Sequence, residues 1–267
     1  MSLVKEVRPS LSELKYLVEK LFGVDFYKYM TGEVVLDKDQ KQALDRAVKE
    51  YSTGRPLEYI LEQAQFFGLD LKVDESVLIP RPETEVLVES LLDHIKLKKS
   101  LTLLDIGTGS GNIPVALSSH APSLRIISVD ISQQALRVAG ENVYNYKCAN
   151  VLLVRADILT CFKEDSFDII VSNPPYVASS YIEDNSSLGF EPRLALDGGE
   201  EGMFFISKIL DQASFYLKKD GRLFLEIGYD QSEKVTEYAK EKGWKVEKVV
   251  KDHAGIERVL IFELVTR

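Results

Sequence analysis

The apolar positions of this chain change their period partway along. Leu14, Leu17, Val18 and Leu21 recur at helical spacing behind Ser10-Leu11-Ser12-Glu13, a capping-box pattern, and Gly23 supplies a stop. A second helix is predicted from Asp37 with Gln40, carrying Ala43, Leu44, Ala47, Val48 and Tyr51 on one face and ended by Gly54 and Pro56. Residues 1 to 65 therefore read as a small helical domain. Phe67, Leu69, Leu71 and Val73 then alternate with smaller or polar residues, and Val77-Leu78-Ile79 follows Asp74-Glu75-Ser76. That pattern predicts a β-hairpin linker over residues 66–80.

Pro82 is well placed as the first residue of a helix bearing Val86, Leu87, Leu91, Leu92 and Ile95. From Leu101 onward short apolar runs and helical patterns alternate. Strands are predicted near 101–106, 125–130, 151–155, 167–172, 221–227, 244–250 and 258–264, with helices in most of the gaps. This alternation predicts an α/β domain over 81–267: a mainly parallel sheet covered on both faces, with ligands at the carboxyl ends of its strands. The last two strands are joined by a short connection containing Gly255, too short for a parallel crossover, so they are expected to be antiparallel.

The 267 residues, 45% of them hydrophobic, can bury one large core or two modest ones, and no repeat or low-complexity bias is present. The start, MSLVKEVRPSLSELKYL, lacks the apolar stretch of a signal peptide, and no window reaches the roughly 18 apolar residues of a membrane span. A cytoplasmic chain that does not engage membranes is expected. Cys148 and Cys161 lack CxxC spacing and read as small buried hydrophobes. His94, His120 and His253 fall in no metal-ligand pattern, so no metal is expected. The net charge of -9 argues against affinity built on neutralised phosphates. Residues 1–75 carry 11 basic and 14 acidic side chains, which makes the helical domain no basic nucleic-acid clamp. Duplex DNA is not an expected partner.

Two stretches carry chemistry. "LLDIGTGSGN", Leu103 to Asn112, is a strand running into a turn through Gly107, Thr108, Gly109, Ser110 and Gly111 and then into a helix. Its glycines let backbone bend sharply and approach a ligand. A nicotinamide fingerprint wants glycine where Asn112 stands, so the spacing is G-x-G-x-G, which resembles the S-adenosylmethionine loop of class I methyltransferases. Asp130 ends "IISVD", followed by Ile131, and Asp157 follows "VLLVRA", each at the expected ligand edge. A carboxylate at Asp130 can accept both hydroxyls of a ribose; Asp157 would sit near an adenine amine, with Ile158 beside the ring. Asp105 could hold the loop or face the cationic methionine end of the cofactor. The bland alternative is that these aspartates cap the helices that follow.

The second stretch is "VSNPPYVASS", Val171 to Ser180. Pro174 and Pro175 have no N–H, and each drives the residue before it toward extended backbone. The side-chain oxygen of Asn173 and the main-chain oxygen of Pro174 could together accept both hydrogens of one planar NH2 group, while Tyr176 offers an aromatic face. An amide or ring amine is a poor nucleophile because its lone pair is delocalised. Holding both hydrogens orients the nitrogen toward a methyl group and favours the developing charge. The loop alone does not choose between adenine, guanine in RNA and a glutamine side chain as acceptor.

"RPLEYILEQAQFFGLDLKVDESVLIPRPETE" (55–85), "DIGTGSG", "NPPY", "FEPRLALDGGEEG" and "LEIGYDQ" together resemble the release factor glutamine methyltransferases, the HemK/PrmC family, over nearly the whole chain. The resemblance implies a helical substrate-recognition domain and a class I methyltransferase domain. It also implies methyl transfer from S-adenosylmethionine to the glutamine amide in the Gly-Gly-Gln loop of peptide chain release factors. On that likeness the stretch Gly107 to Gly111 and Asp130 bind cofactor, and Asn173, Pro174, Pro175 and Tyr176 hold the glutamine. One departure is Glu62, where the family usually has glycine. Arg81, Glu83 and Glu85 could border the active-site mouth, with Glu191-Pro192-Arg193 in a flap over it; the acidic residues could equally serve the helix start. Glu226 reads as a structural strand-end residue. A monomer is expected. The rival readings are a nucleic-acid amino-group methyltransferase, a catalytically silent binding module and a nicotinamide oxidoreductase.

Overall fold

The structure is a computed structural model that describes residues 8–96 and 100–265. Residues 1–7, where the predicted helical domain begins, and 266–267, where the predicted α/β domain ends, lie outside the described residues. The chain divides into two compact units, the division falling between Gln63 and Ala64.

The first unit holds α1 (Leu11–Phe22), α2 (Phe26–Thr31), α3 (Lys38–Ser52) and α4 (Leu57–Leu61). Ser10 and Asp37 each complete the capping box expected of them, and Gly23 ends α1 in the left-handed conformation. Leu17, Val18, Phe26, Leu36, Leu44 and Ala47 form the core. Helices α2 and α4 were not legible as periodicity, because six and five residues complete less than two turns. Glu62 ends α4 in the left-handed conformation at φ 52°, so the position where the family usually has glycine keeps a glycine-like backbone.

A hairpin follows, β1 (Gln63–Phe66) and β2 (Leu69–Lys72), earlier in the chain than predicted. Phe67 and Gly68 form its turn, both with positive φ (51° and 74°), as a two-residue hairpin loop requires. An apolar Phe67 looks like a strand residue, which displaced the expected turn to 74–76. Val77–Ile79 is not a strand.

The remaining elements are α5 (Pro82–Ile95), β3 (Thr102–Ile106), α6 (Asn112–His120), β4 (Arg125–Asp130), α7 (Gln133–Asn145), β5 (Val151–Arg155), β6 (Phe167–Ser172), α8 (Ser179–Asp184), a 3-10 turn (Ser186–Phe190), α9 (Arg193–Leu196), α10 (Phe204–Tyr216), β7 (Leu217–Glu226), α11 (Ser232–Glu241), β8 (Trp244–Lys251) and β9 (Glu257–Leu264). Seven of the described strands form one sheet in the order β5-β4-β3-β6-β7-β9-β8. It is parallel from β5 through β7, and β9 is antiparallel to both its neighbours.

Successive strand residues face opposite sides, and both sides are apolar. Leu103, Ile169, Phe224 and Ile261 join α5 and α6 in one core; Leu104, Ile170, Leu223 and Leu260 join α10 and α11 in the other. The chain runs outward from β3 to β4 and β5, then returns to β6 on the other side of β3. This reversal opens a crevice at the carboxyl ends of β3 and β6, where doubly wound sheets bind ligands. Among the described residues no helix is long and apolar enough to cross a membrane. Cys148 is buried as expected, but Cys161 is exposed, because it falls in the turn after β5 instead of on a packed face.

Candidate active site

A cavity of about 470 Å3 opens at that crevice, within the range of roughly 300–1,000 Å3 typical of small-molecule sites. Gly107, Thr108, Gly109, Ser110, Asp130, Ile131, Asp157, Ile158, Asn173, Pro174, Pro175 and Arg81 all line it, so the structure brings together most of the residues singled out in the sequence. Asp105, Gly111 and Tyr176 stand behind this wall.

The glycine turn is built from the strand outward. Gly107 and Thr108 both donate their N–H to the Val129 carbonyl, at 2.9 and 3.0 Å, which pins the turn to β4. A Cβ at Gly107 or Gly109 would meet nothing within 4 Å, so backbone there borders open space. At Gly111 (φ 78°) a Cβ would lie 3.1 Å from that of Ala139, which lets α6 start close against α7. From the buried face of α7, Asn142 Nδ2 donates to the Ser110 carbonyl at 2.8 Å and to the Lys72 carbonyl at 2.9 Å. Sequence reading missed Asn142, although a polar residue in the stripe Ala135, Leu136, Val138, Ala139 was a usable signal.

Asp130 accepts the Gly109 N–H at one carboxylate oxygen and the Ser132 N–H at the other, both at 2.9 Å. Ser132, not Asp130, caps α7 through the Ala135 N–H. Asp130 is therefore a loop holder with lone pairs to spare, and burial raises its pKa against the pull of those backbone donors. Asp105 is wholly buried under the turn. Burial pushes it up to about 7, with the Thr108 and Ser128 hydroxyls acting in the opposite sense. Those hydroxyls are near enough to favour the charged form yet fall short of hydrogen-bond geometry, since both Asp105 oxygens, Thr108 Oγ1 and Ser128 Oγ have no partner. Ile158 turns at φ 52°, unusual for a β-branched residue, and is buried at the cavity edge, whereas Asp157 beside it is exposed.

Across the cavity, Asn173 Nδ2 donates to Thr84 Oγ1 at 3.0 Å. Among the described residues nothing donates to Asn173 Oδ1 or to the Pro174 carbonyl. The Tyr176 phenol donates to Glu226 Oε1 at 3.3 Å, and burial holds its pKa well above the usual phenol value. The segment "FEPRLALDGGEEG" is zipped onto this loop: Val177 N–H donates to Leu196 O, Gly198 N–H to Val177 O and Ser179 N–H to Gly199 O. Gln231 Nε2 donates to the carbonyls of both Tyr176 and Gly202, each at 3.2 Å.

Four residues of "PRPETE" have separate tasks. Pro82 opens α5, Arg81 pairs with Glu191 at 2.5 Å, Thr84 holds Asn173, and Glu85 accepts the Phe67 N–H at 2.7 Å and so steadies the hairpin turn. Leu194, Phe205 and Ile209 complete an apolar wall that sequence reading did not assign, since helical spacing alone cannot tell wall from core.

A family model described as the methyltransferase small domain matches residues 83–188. A solved methyltransferase from Pyrococcus furiosus superposes with a TM-score of 0.57 over 86% of this chain and 100% of its own, at 20% identity, which is a likeness of fold. Sheet order, glycine turn and the acid ending β4 define a class I, S-adenosylmethionine-dependent methyltransferase. The chain is 40% identical to the release factor glutamine methyltransferase of Streptococcus pneumoniae over 97% of its length and 92% of the relative's. It is 43% identical to that of Lactococcus lactis over 91% and 90%. The chain belongs to the release factor glutamine methyltransferase family.

Proposed function

We propose that this enzyme methylates the side-chain amide nitrogen of the glutamine in the Gly-Gly-Gln loop of peptide chain release factors. The observation that carries the reading is the pair of unengaged oxygens, Asn173 Oδ1 and the Pro174 carbonyl, at the edge of a cofactor-sized cavity. Two acceptors suit a group with two hydrogens on one flat nitrogen.

The cavity fits the cofactor. Gly107 and Gly109 leave a cradle that side chains would fill, and Asp130 offers a fixed carboxylate at the end of β4. Asp157 and Ile158 flank the far end. When bound, S-adenosylmethionine supplies an electrophilic methyl group on a sulfonium. The chain's own part is to bind, orient and shield. Asn173 and Pro174 would hold the acceptor amide, Pro175 keeps the loop free of donors, and Tyr176 backs it with an aromatic face. Arg81, held by Glu191, borders the entrance. The helical first unit serves recognition of the release factor; the chain acts in the cytoplasm as a monomer, without duplex DNA or membrane as partner.

The test is incubation with labelled S-adenosylmethionine, a release factor and duplex DNA together, followed by peptide mass mapping. Label on a Gly-Gly-Gln peptide, lost in Asn173→Ala with cofactor binding retained, is the expected result. Label on DNA, or full activity in Asn173→Ala, refutes the reading.

A further inference from the structure

Asn142 lies on the buried face of α7 and is 0% exposed, in a stripe with Ala135, Leu136, Val138 and Ala139. Asparagine is a poor helix former and its amide is costly to bury without partners, so packing alone would place an apolar side chain there. Its amide makes three bonds. Nδ2 donates to the Ser110 carbonyl at 2.8 Å and to the Lys72 carbonyl at 2.9 Å, and Oδ1 accepts the Lys72 N–H at 2.8 Å.

The two bonds to Lys72 belong to a pattern. In a strand the N–H and C=O of alternate residues point to one edge, and among the described residues β2 has a strand neighbour, β1, on one side only. At Asp70, two residues back, the N–H donates to the Tyr146 hydroxyl and that hydroxyl donates to the Asp70 carbonyl, both at 2.9 Å. Asn142 and Tyr146 are four residues apart, about 6 Å along a helix, and Asp70 and Lys72 are two apart, about 6.7 Å along a strand. The spacings match, and α7 stands in for a neighbouring strand.

The third bond goes to the cofactor site. Ser110 lines the cavity, and the peptide joining it to Gly111 is planar, so its two ends turn together. At one end the Gly111 N–H donates to the Thr108 carbonyl at 2.8 Å; at the other Asn142 holds the Ser110 carbonyl. Of these two bonds, only the one from Asn142 comes from outside the turn. Gly111 is at φ 78° and has a glycine's torsional freedom, so its own backbone does little to fix that peptide.

We propose that Asn142 is a positioning residue for S-adenosylmethionine: it clamps the Ser110–Gly111 peptide to β2, so that the glycine turn holds its binding conformation before the cofactor arrives. Without the clamp the turn samples other conformations, and the apparent Kd rises as the inverse of the fraction that stays ordered. The clamp acts on the cofactor side and is independent of how Asn173 holds its acceptor.

The experiment is calorimetric titration of the wild type, Asn142→Ala and Tyr146→Phe with S-adenosylmethionine, alongside kcat at saturating cofactor with a release factor. Both variants lose two bonds to β2, and only Asn142→Ala loses the one to Ser110. Asn142→Ala is expected to raise the cofactor Kd about 10-fold with kcat within about 3-fold of wild type, whereas Tyr146→Phe keeps Kd within about 2-fold. A Kd in Asn142→Ala within about 2-fold of wild type, an equal rise in Tyr146→Phe, or a loss of kcat as large as the rise in Kd overturns the proposal. Should Asn142→Ala fail to fold, amide exchange of the wild type decides. Cofactor binding is then expected to slow exchange at Lys72, whose N–H Asn142 accepts, at least about 3-fold more than at Asp70, whose N–H Tyr146 accepts. Equal slowing at both amides overturns the proposal.

Discussion

Arg81 and Glu191 are 110 residues apart in the chain, yet the Arg81 guanidinium donates to Glu191 Oε1 at 2.5 Å. The other carboxylate oxygen accepts the Ile79 N–H at 3.4 Å, so Glu191 ties the segment before α5 to the one carrying the cavity residues Pro192 and Leu194. The Glu191 side chain is only 6% exposed, whereas that of Arg81 is 34% exposed. Removing the arginine therefore strands a mostly buried charge, and removing both partners does not. Arg81→Ala is expected to weaken S-adenosylmethionine binding by about 10-fold, and Arg81→Ala with Glu191→Gln to recover part of that loss. Calorimetric titration of the three proteins checks this; equal affinities in all of them would show the pair to be a surface ornament.

The titration of Asp105 gives a second prediction. Its folded value of about 7 lies above the ordinary 3.8, with burial as the main cause. A raised carboxyl contributes stability that is fully present below the unfolded value and is lost as pH rises through the folded one. Asp105→Asn carries no such proton. Its stability relative to wild type should therefore climb between about pH 4 and 7, by up to about 4 kcal/mol for a difference of about three pKa units. Urea denaturation of both proteins at pH 5 and 8 measures it, and a pH-independent difference between the two would contradict it.

What was legible in the sequence was whatever is local. Capping boxes, Pro82 at a helix start and apolar runs bounded by turns depend on neighbours a few residues away, and α1, α3, α5 and the strands of the large sheet fell where the pattern put them. The glycine turn and "NPPY" were legible because backbone chemistry is written in residue type. Thr84, Asn142 and Gln231 were not, since each acts by meeting a main-chain or side-chain group at least 29 residues away. The hairpin was misplaced for a related reason: Phe67 takes a positive φ that its residue type does not advertise, while Glu85, 18 residues on, receives its N–H.

Glu62 offers a stability test independent of the active site. It closes α4 at φ 52°, ψ 31°, a conformation that sets a Cβ against the adjoining carbonyl. Glycine avoids that cost of about 1–2 kcal/mol, though it gives back up to about 1 kcal/mol in chain entropy. Glu62→Gly is expected to raise stability by a few tenths to about 1 kcal/mol with unchanged kcat, read by thermal melting and a methylation assay. A lower Tm would mean that the contacts of the glutamate side chain outweigh the backbone strain.

The last prediction concerns how the acceptor loop is held from behind. Gly202 has φ 70°, and a Cβ built on it would lie 2.2 Å from the Tyr176 carbonyl oxygen and 2.6 Å from Gln231 Nε2. Neither neighbour is free to yield, because Gln231 is fixed by the Gly228 N–H at 2.8 Å and bridges to both carbonyls. Gly202→Ala must then push the Tyr176 backbone toward the cavity and shift Pro174 and Asn173 with it. A displacement of about 1 Å at a reacting group costs on the order of 100-fold in rate, so kcat should fall by that factor. Cofactor affinity should change far less, since the glycine turn and Asp130 are held by β4 and α7. Single-turnover rates and cofactor titration on Gly202→Ala separate the two effects; equal losses in both would place the fault in the whole domain and not in the loop.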